Sequence, residues 1–352
     1  MSTSEDSQSL IIKSPGIHWT GFLLRVFSWL MVSLTLLFLV NNYLIFWRGW
    51  PGLWNFFAHQ EWFGFSPLRT PLSDEKQMLG WIQTTILILI IILNLLYAIK
   101  TTKKELIEDA RIFSIFAAYL TRSCFWAVFL VGCFDIVISF LRVEDFLKPM
   151  FGDVMAVELG RSVFRGSYIH YPLVIISFFI AFFVRGLGFT WLTLLVVIAE
   201  FQIVISRFVY SYEQAFMGDL VRMWYAALFL FASSYALVYE GHVRVDVLYS
   251  RFKDRTKAYS NSIGCIFLGI PLCWVILLTG MWGKGSSLNS PLLSFEVYQQ
   301  GFGMYTKYLM VGFLIVFAVC MLVQFTGYFL YNVAQLLGEE VSNEKYLQSS
   351  NS

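Results

Sequence analysis

From residue 223 to residue 239 seventeen consecutive residues carry no charge, with Arg222 before them and Glu240 after. A helix of that length rises roughly 25 Å, close to the ~30 Å of bilayer hydrocarbon. Arg222 and Glu240 are therefore expected at the two membrane faces. Five further stretches are equally free of charge: 26–47, 77–98, 166–184, 258–282 and 308–330. Two more, 123–141 and 189–210, are apolar with isolated charges inside them. Only 14% of the residues are charged and 58% are hydrophobic, whereas a water-soluble domain carries about 25% charged residues. The expected fold class is an all-α, polytopic integral membrane protein of about eight transmembrane helices.

The connecting segments set an orientation. Residues 1–20 hold a single basic residue, Lys13, so no basic n-region precedes the first apolar run. That run is expected to stay as a retained helix. With the amino terminus inside, the two densest basic clusters fall on the cytoplasmic side: Lys100, Lys103, Lys104 and Arg111, then Arg244, Arg251, Lys253, Arg255 and Lys257. Counting connectors only, twelve lysines and arginines lie inside against eight outside, in the sense of the positive-inside rule. Both termini are then cytoplasmic. The loop 48–76 is crowded with Trp50, Trp54, Phe56, Phe57, Trp62 and Phe63. Such density near a span end suits the headgroup belt, or a contact surface for a partner outside the membrane. Pro172 is expected in the first turns of its span, and Pro271 to kink the seventh.

Little in the sequence points to chemistry. The net charge is +2, and no basic run interleaves with aromatics, so nucleic acid is not an expected partner. The cysteines Cys124, Cys133, Cys265, Cys273 and Cys320 all lie in apolar segments without a C-x-x-C pair. They read as reduced helix residues. No nucleophile elbow, phosphate loop or metal-ligand spacing occurs, so no catalytic residue, cofactor or metal is expected. The residues that stand out are charges inside spans: Asp135 in the third, Glu200 and Arg207 in the fifth. A charge near mid-membrane is costly and normally finds protein or water. Two readings stay open, an ion or proton site and a buried helix-joining network. Arg207, about two turns from Glu200, is its expected partner. Asp135 is expected to pair across helices or with another subunit.

One short segment carries a resemblance. Glu240-Gly-His-Val-Arg-Val-Asp-Val-Leu-Tyr249 follows an uncharged helix and resembles the small membrane subunit of tripartite ATP-independent periplasmic (TRAP) transporters, the DctQ type. The order of apolar runs around it agrees: one before Tyr212-Glu213, one before the motif, two after it. That family's small subunit normally has four spans. The added ones make this a larger version, divided into a tail (1–21), an N-terminal extension of four spans (22–187), a DctQ-like four-helix domain (188–335) and a second tail (336–352). The segments 139–145, 164–172 and 208–214 also fit a larger version. The resemblance implies three partners: a large permease subunit of the DctM type, a periplasmic solute-binding protein and membrane lipid. It implies uptake of an organic acid driven by an ion gradient, in a bacterial inner membrane. Glu240, His242, Arg244 and Asp246 are the expected interface residues. In an extended segment Arg244 and Asp246 point the same way, toward one partner surface or into solvent and headgroups. The alternatives are a self-sufficient transporter or channel lined by Asp135 and Glu200, and a membrane enzyme, for which no motif speaks.

Overall fold

The computed structural model describes residues 15–185, 189–238, 249–298 and 303–339. The regular elements among the described residues are helical. They are α1 (Pro15–Arg48), α2 (Gly52–His59), α3 (Asp74–Lys100), α4 (Leu106–Val143), α5 (Leu147–Leu159), α6 (Ser162–Arg165), α7 (Tyr171–Phe183), α8 (Phe189–Phe208), α9 (Ala215–Val238), α10 (Asp254–Gly264), α11 (Ile270–Met281), α12 (Asn289–Ser294) and α13 (Lys307–Leu336). Eight helices among the described residues are long and apolar enough to cross a membrane. Lipid offers no partner to a backbone N–H or C=O, so a spanning chain of this composition closes its hydrogen bonds within helices.

Two of the spans contain a wide turn. α6 continues into α7 through the π-turn Gly166–His170, and α10 into α11 through the π-turn Cys265–Gly269. Each is followed two residues later by a proline, Pro172 and Pro271. A proline ring inside a helix clashes with the carbonyl four residues back, and a π-turn opens the backbone at that point. Pro172 therefore does not lie in the first turns of its span, because that span begins at Ser162. The third span likewise begins at Leu106, well before the expected 123. The stretch 142–165, which connects the apolar runs 123–141 and 166–184, holds α5 and α6.

The bundle is built around α4 and α13, which pack along each other. α7 and α9 flank α4; α1, α9, α10 and α11 line α13. Phe113, Ala117, Val323, Phe329 and Leu330 form one buried layer between the central pair. Phe125, Val128, Leu220, Trp224, Phe231 and Phe313 form a second with α9. Cys273 and Leu277 of α11 meet Ala318 and Leu322 in a third. α4 has 38 residues, so it rises roughly 57 Å, far more than the ~30 Å hydrocarbon. The five cysteines are all free thiols.

The surplus length of α4 is tied down at its start. Arg25 of α1 is buried and donates from Nε to Asp109 Oδ2 at 2.5 Å. Its two other nitrogens donate to the carbonyls of Thr101 at 2.5 Å, Lys104 at 2.8 Å and Glu105 at 3.1 Å. The second oxygen of Asp109 accepts from Trp29 Nε1 and the Tyr97 hydroxyl. One guanidinium thus holds α1, the α3–α4 connector and α4 together. On the same end Glu339 accepts from the backbone N–H of Leu106 and Ile107 at 3.0 and 3.1 Å. That is a carboxylate on otherwise unsatisfied donors at a helix N-terminus.

The aromatic loop between α1 and α3 is partly core. Phe56 is fully buried, and a Cβ on Gly80 would come within 2.2 Å of its ring. Only glycine at 80 lets α2 lie this close to α3. Trp54 and Phe63 remain exposed at 57% and 81%, which leaves these two for the membrane interface or a partner.

Candidate functional site

Where α4 ends and α9 and α13 begin, four charged or titratable side chains meet out of contact with solvent. Asp135 sits on the inner face of α4, two turns before its end, and is 0% exposed, as are Arg165 and His170. Asp135 Oδ1 accepts from Arg165 Nη1 at 3.0 Å and from His170 Nε2 at 3.1 Å. Its Oδ2 accepts from the backbone N–H of Tyr305 at 2.8 Å. His170 Nδ1 lies 2.8 Å from the Tyr308 hydroxyl. An ionised carboxylate only accepts, so the imidazole donates from Nε2 to Asp135, while the Tyr308 hydroxyl can donate to Nδ1 or accept from it.

The helices present these groups for local reasons. Arg165 closes α6 and donates back from Nε to the carbonyl of Leu159 at 2.5 Å, the last residue of α5. Its Nη1 also donates to Ser139, one turn beyond Asp135 on α4. His170 ends the π-turn, which turns its ring toward α13. At Gly166, the first residue of that turn, a Cβ would stand 2.2 Å from the Phe295 ring. The absent side chain is what lets the π-turn approach Phe295 and Tyr308.

A second carboxylate works beside the first. Asp219 in the first turns of α9 is buried; its Oδ2 accepts from the N–H of Met304 at 3.0 Å and its Oδ1 from Arg222 at 3.3 Å. Arg142 donates to the carbonyl of Gly303 at 2.9 Å. The Tyr305 ring lies between two guanidinium groups, Arg142 at 4.5 Å and Arg165 at 4.4 Å, within cation–π range. Its hydroxyl donates to Gly160. Three consecutive residues ahead of α13 are thus clamped by α4 and α9 through carboxylates and arginines. Among the described residues Arg165 Nη2 and Thr306 Oγ1 are buried without a hydrogen-bond partner.

The charges of the fifth span behave differently. Arg207 pairs with Glu213, its Nε at 2.7 Å and Nη2 at 2.5 Å from Oε2, and not with Glu200. Arg207 stands in the last turn of α8, so its long side chain reaches forward into the connector. Glu200 is exposed on the outer side of α8 and has no hydrogen-bond or ion-pair partner among the described residues. In the same connector Tyr212 donates to Glu144 and accepts from Gln214 at 2.9 Å. Bonding to that carboxylate raises the Tyr212 phenol above its ordinary pKa.

Of the sequence-derived candidates, the structure surrounds Asp135 with partners and separates Glu200 from Arg207. Glu240, His242, Arg244 and Asp246 lie outside the described residues. They follow Val238, the end of α9 opposite to Asp219. Arg165, His170, Asp219, Tyr305 and Tyr308 were not singled out from sequence. A histidine and an arginine flanking the start of an apolar run, five residues apart and just before a proline, were the available signal.

No group of metal-ligating side chains occurs among the described residues, and every oxygen of Asp135 is engaged. The arrangement's chemistry is that of a clamp. Residues 193–336 match the family model described as tripartite ATP-independent periplasmic transporters, DctQ component. The match runs from within α8 to the last residue of α13. Comparison with curated proteins and with solved structures gives no match.

Proposed function

We propose that this chain, whose residues 193–336 match the family model of the DctQ component of tripartite ATP-independent periplasmic transporters, is the small membrane subunit of such a transporter, enlarged by N-terminal helices. The observation that carries the reading is the family match itself, laid over the four spans from α8 to α13. On this reading the chain braces a large permease subunit. That partner moves an organic acid, delivered by a periplasmic binding protein, at the expense of an ion gradient. The buried centre suits a brace. It joins α4, α6, the π-turn, α9 and the segment before α13 by hydrogen bonds. The reading as a self-sufficient transporter loses its two-acid path, because Asp135 is sealed on α4 while Glu200 points outward from α8.

Co-purification tests the subunit reading. Expressed together with the large permease from the same source, the tagged chain is expected to retain that permease through gel filtration in detergent. Elution of the two proteins apart would refute it.

The proposed orientation puts both termini in the cytoplasm of a bacterium, with the chain in the inner membrane. Cysteines introduced at Ser66 and Ser287, both exposed, in a background lacking the native five, are expected to react with an impermeant thiol reagent added outside. A cysteine at Ser250 is expected to stay unlabelled. The reverse pattern would invert the topology.

A further inference from the structure

Glu200 is one residue past the midpoint of the span Thr190–Phe208, yet it is exposed and unpaired among the described residues. α8 rests chiefly on α9 and buries Leu192 and Ala199 there. On its other side Val197, Phe201 and Val204 are exposed together with Glu200. A carboxylate at mid-depth is rare on a lipid-facing surface and normally meets a partner that neutralises it or donates to it. Arg207, the only basic side chain on α8, is already committed to Glu213. A second copy of this chain is a poor occupant. A two-fold contact on this face sets each Glu200 near the other's, like charge against like. The occupant therefore has to be a different helix carrying a donor.

We infer that the outward face of α8 around Glu200 seats a transmembrane helix of the large permease, which presents a lysine, arginine, histidine or hydroxyl donor to the Glu200 carboxylate. This rests on the small-subunit reading and specifies its contact. The apolar neighbours one turn to either side supply the packing surface. The carboxylate fixes depth and register, since a single polar match inside lipid penalises every other alignment.

Photo-crosslinking residues at Val197 and Val204 test this in the full complex. As controls, the same residue is placed at Ile175 and Phe179, exposed on α7. Adducts with the large permease are expected from the two α8 sites and not from the controls. Glu200→Lys is expected to lower permease recovery about tenfold or more, as for a reversed charge at a desolvated contact. An acidic substitution on the crosslinked permease helix should restore it. Should the lysine variant fail to insert, Glu200→Leu and Glu200→Gln decide the matter. The amide keeps a hydrogen bond and should retain more permease than leucine, and equal recovery overturns the inference. Adducts only with lipid or with a second copy, in a complex that still co-purifies, also overturn it while leaving the subunit reading intact. A chain that never co-purifies with the permease overturns both.

Discussion

Asp135→Ala should lower the stability of the folded protein by about 3–5 kcal/mol, the scale for removing one partner of a buried ion pair. Arg165 is then a guanidinium with 0% exposure, left with Ser139, the Leu159 carbonyl and the Tyr305 ring as its only described company. The loss spreads beyond the pair. The N–H of Tyr305 and His170 Nε2 lose their acceptor as well, and an unmet buried donor costs about 1–3 kcal/mol. Removing both charges is expected to do less harm. Asp135→Leu combined with Arg165→Met replaces the pair by apolar volume, which is often neutral or stabilising. Thermal unfolding of purified protein in detergent measures the difference. A single variant as stable as the parent would mean that the centre is not closed as described.

Arg25→Ala is the other large effect expected, again about 3–5 kcal/mol, because Asp109 stays buried without its cation. Here the geometry adds a discriminating variant. The guanidinium meets one carboxylate and three carbonyls in a fan, a pattern that suits a planar fork of five donors. A lysine ammonium on a flexible stem cannot span it. Arg25→Lys should therefore recover little of the lost stability. The connector at 101–105 should also become a protease site in the alanine variant, since its carbonyls lose the group that pins them. Full recovery by lysine would show that charge alone matters there.

Much of the architecture was readable because membrane crossing is mainly a question of length without charge. All eight apolar runs correspond to spans, and their ends shifted where a helix runs on past the hydrocarbon, as at Leu106 in α4. Asp135 stood out for the same reason. Its partners did not, because Arg165 and His170 lie 30 and 35 residues away and Tyr305 contributes only a backbone N–H. Backbone donors leave no mark in a sequence. The pairing of Glu200 with Arg207 failed on geometry: a residue in a helix's last turn has the following connector within reach, and Glu213 is there. The π-turns escaped notice because each proline could equally signal a kink or a helix start. The match over 193–336 leaves α1 to α7 outside it, yet α4 from that part lies against α9 and α13. α4 is thus part of the core of the bundle.

The most direct test of the account is transport in liposomes. The purified chain would be reconstituted alone, with the large permease, and with the permease plus the binding protein loaded with its solute, each under an imposed sodium gradient. Uptake is expected only when all three proteins are present, with none from this chain alone. Saturable, gradient-driven uptake by this chain by itself would contradict its assignment as an accessory subunit.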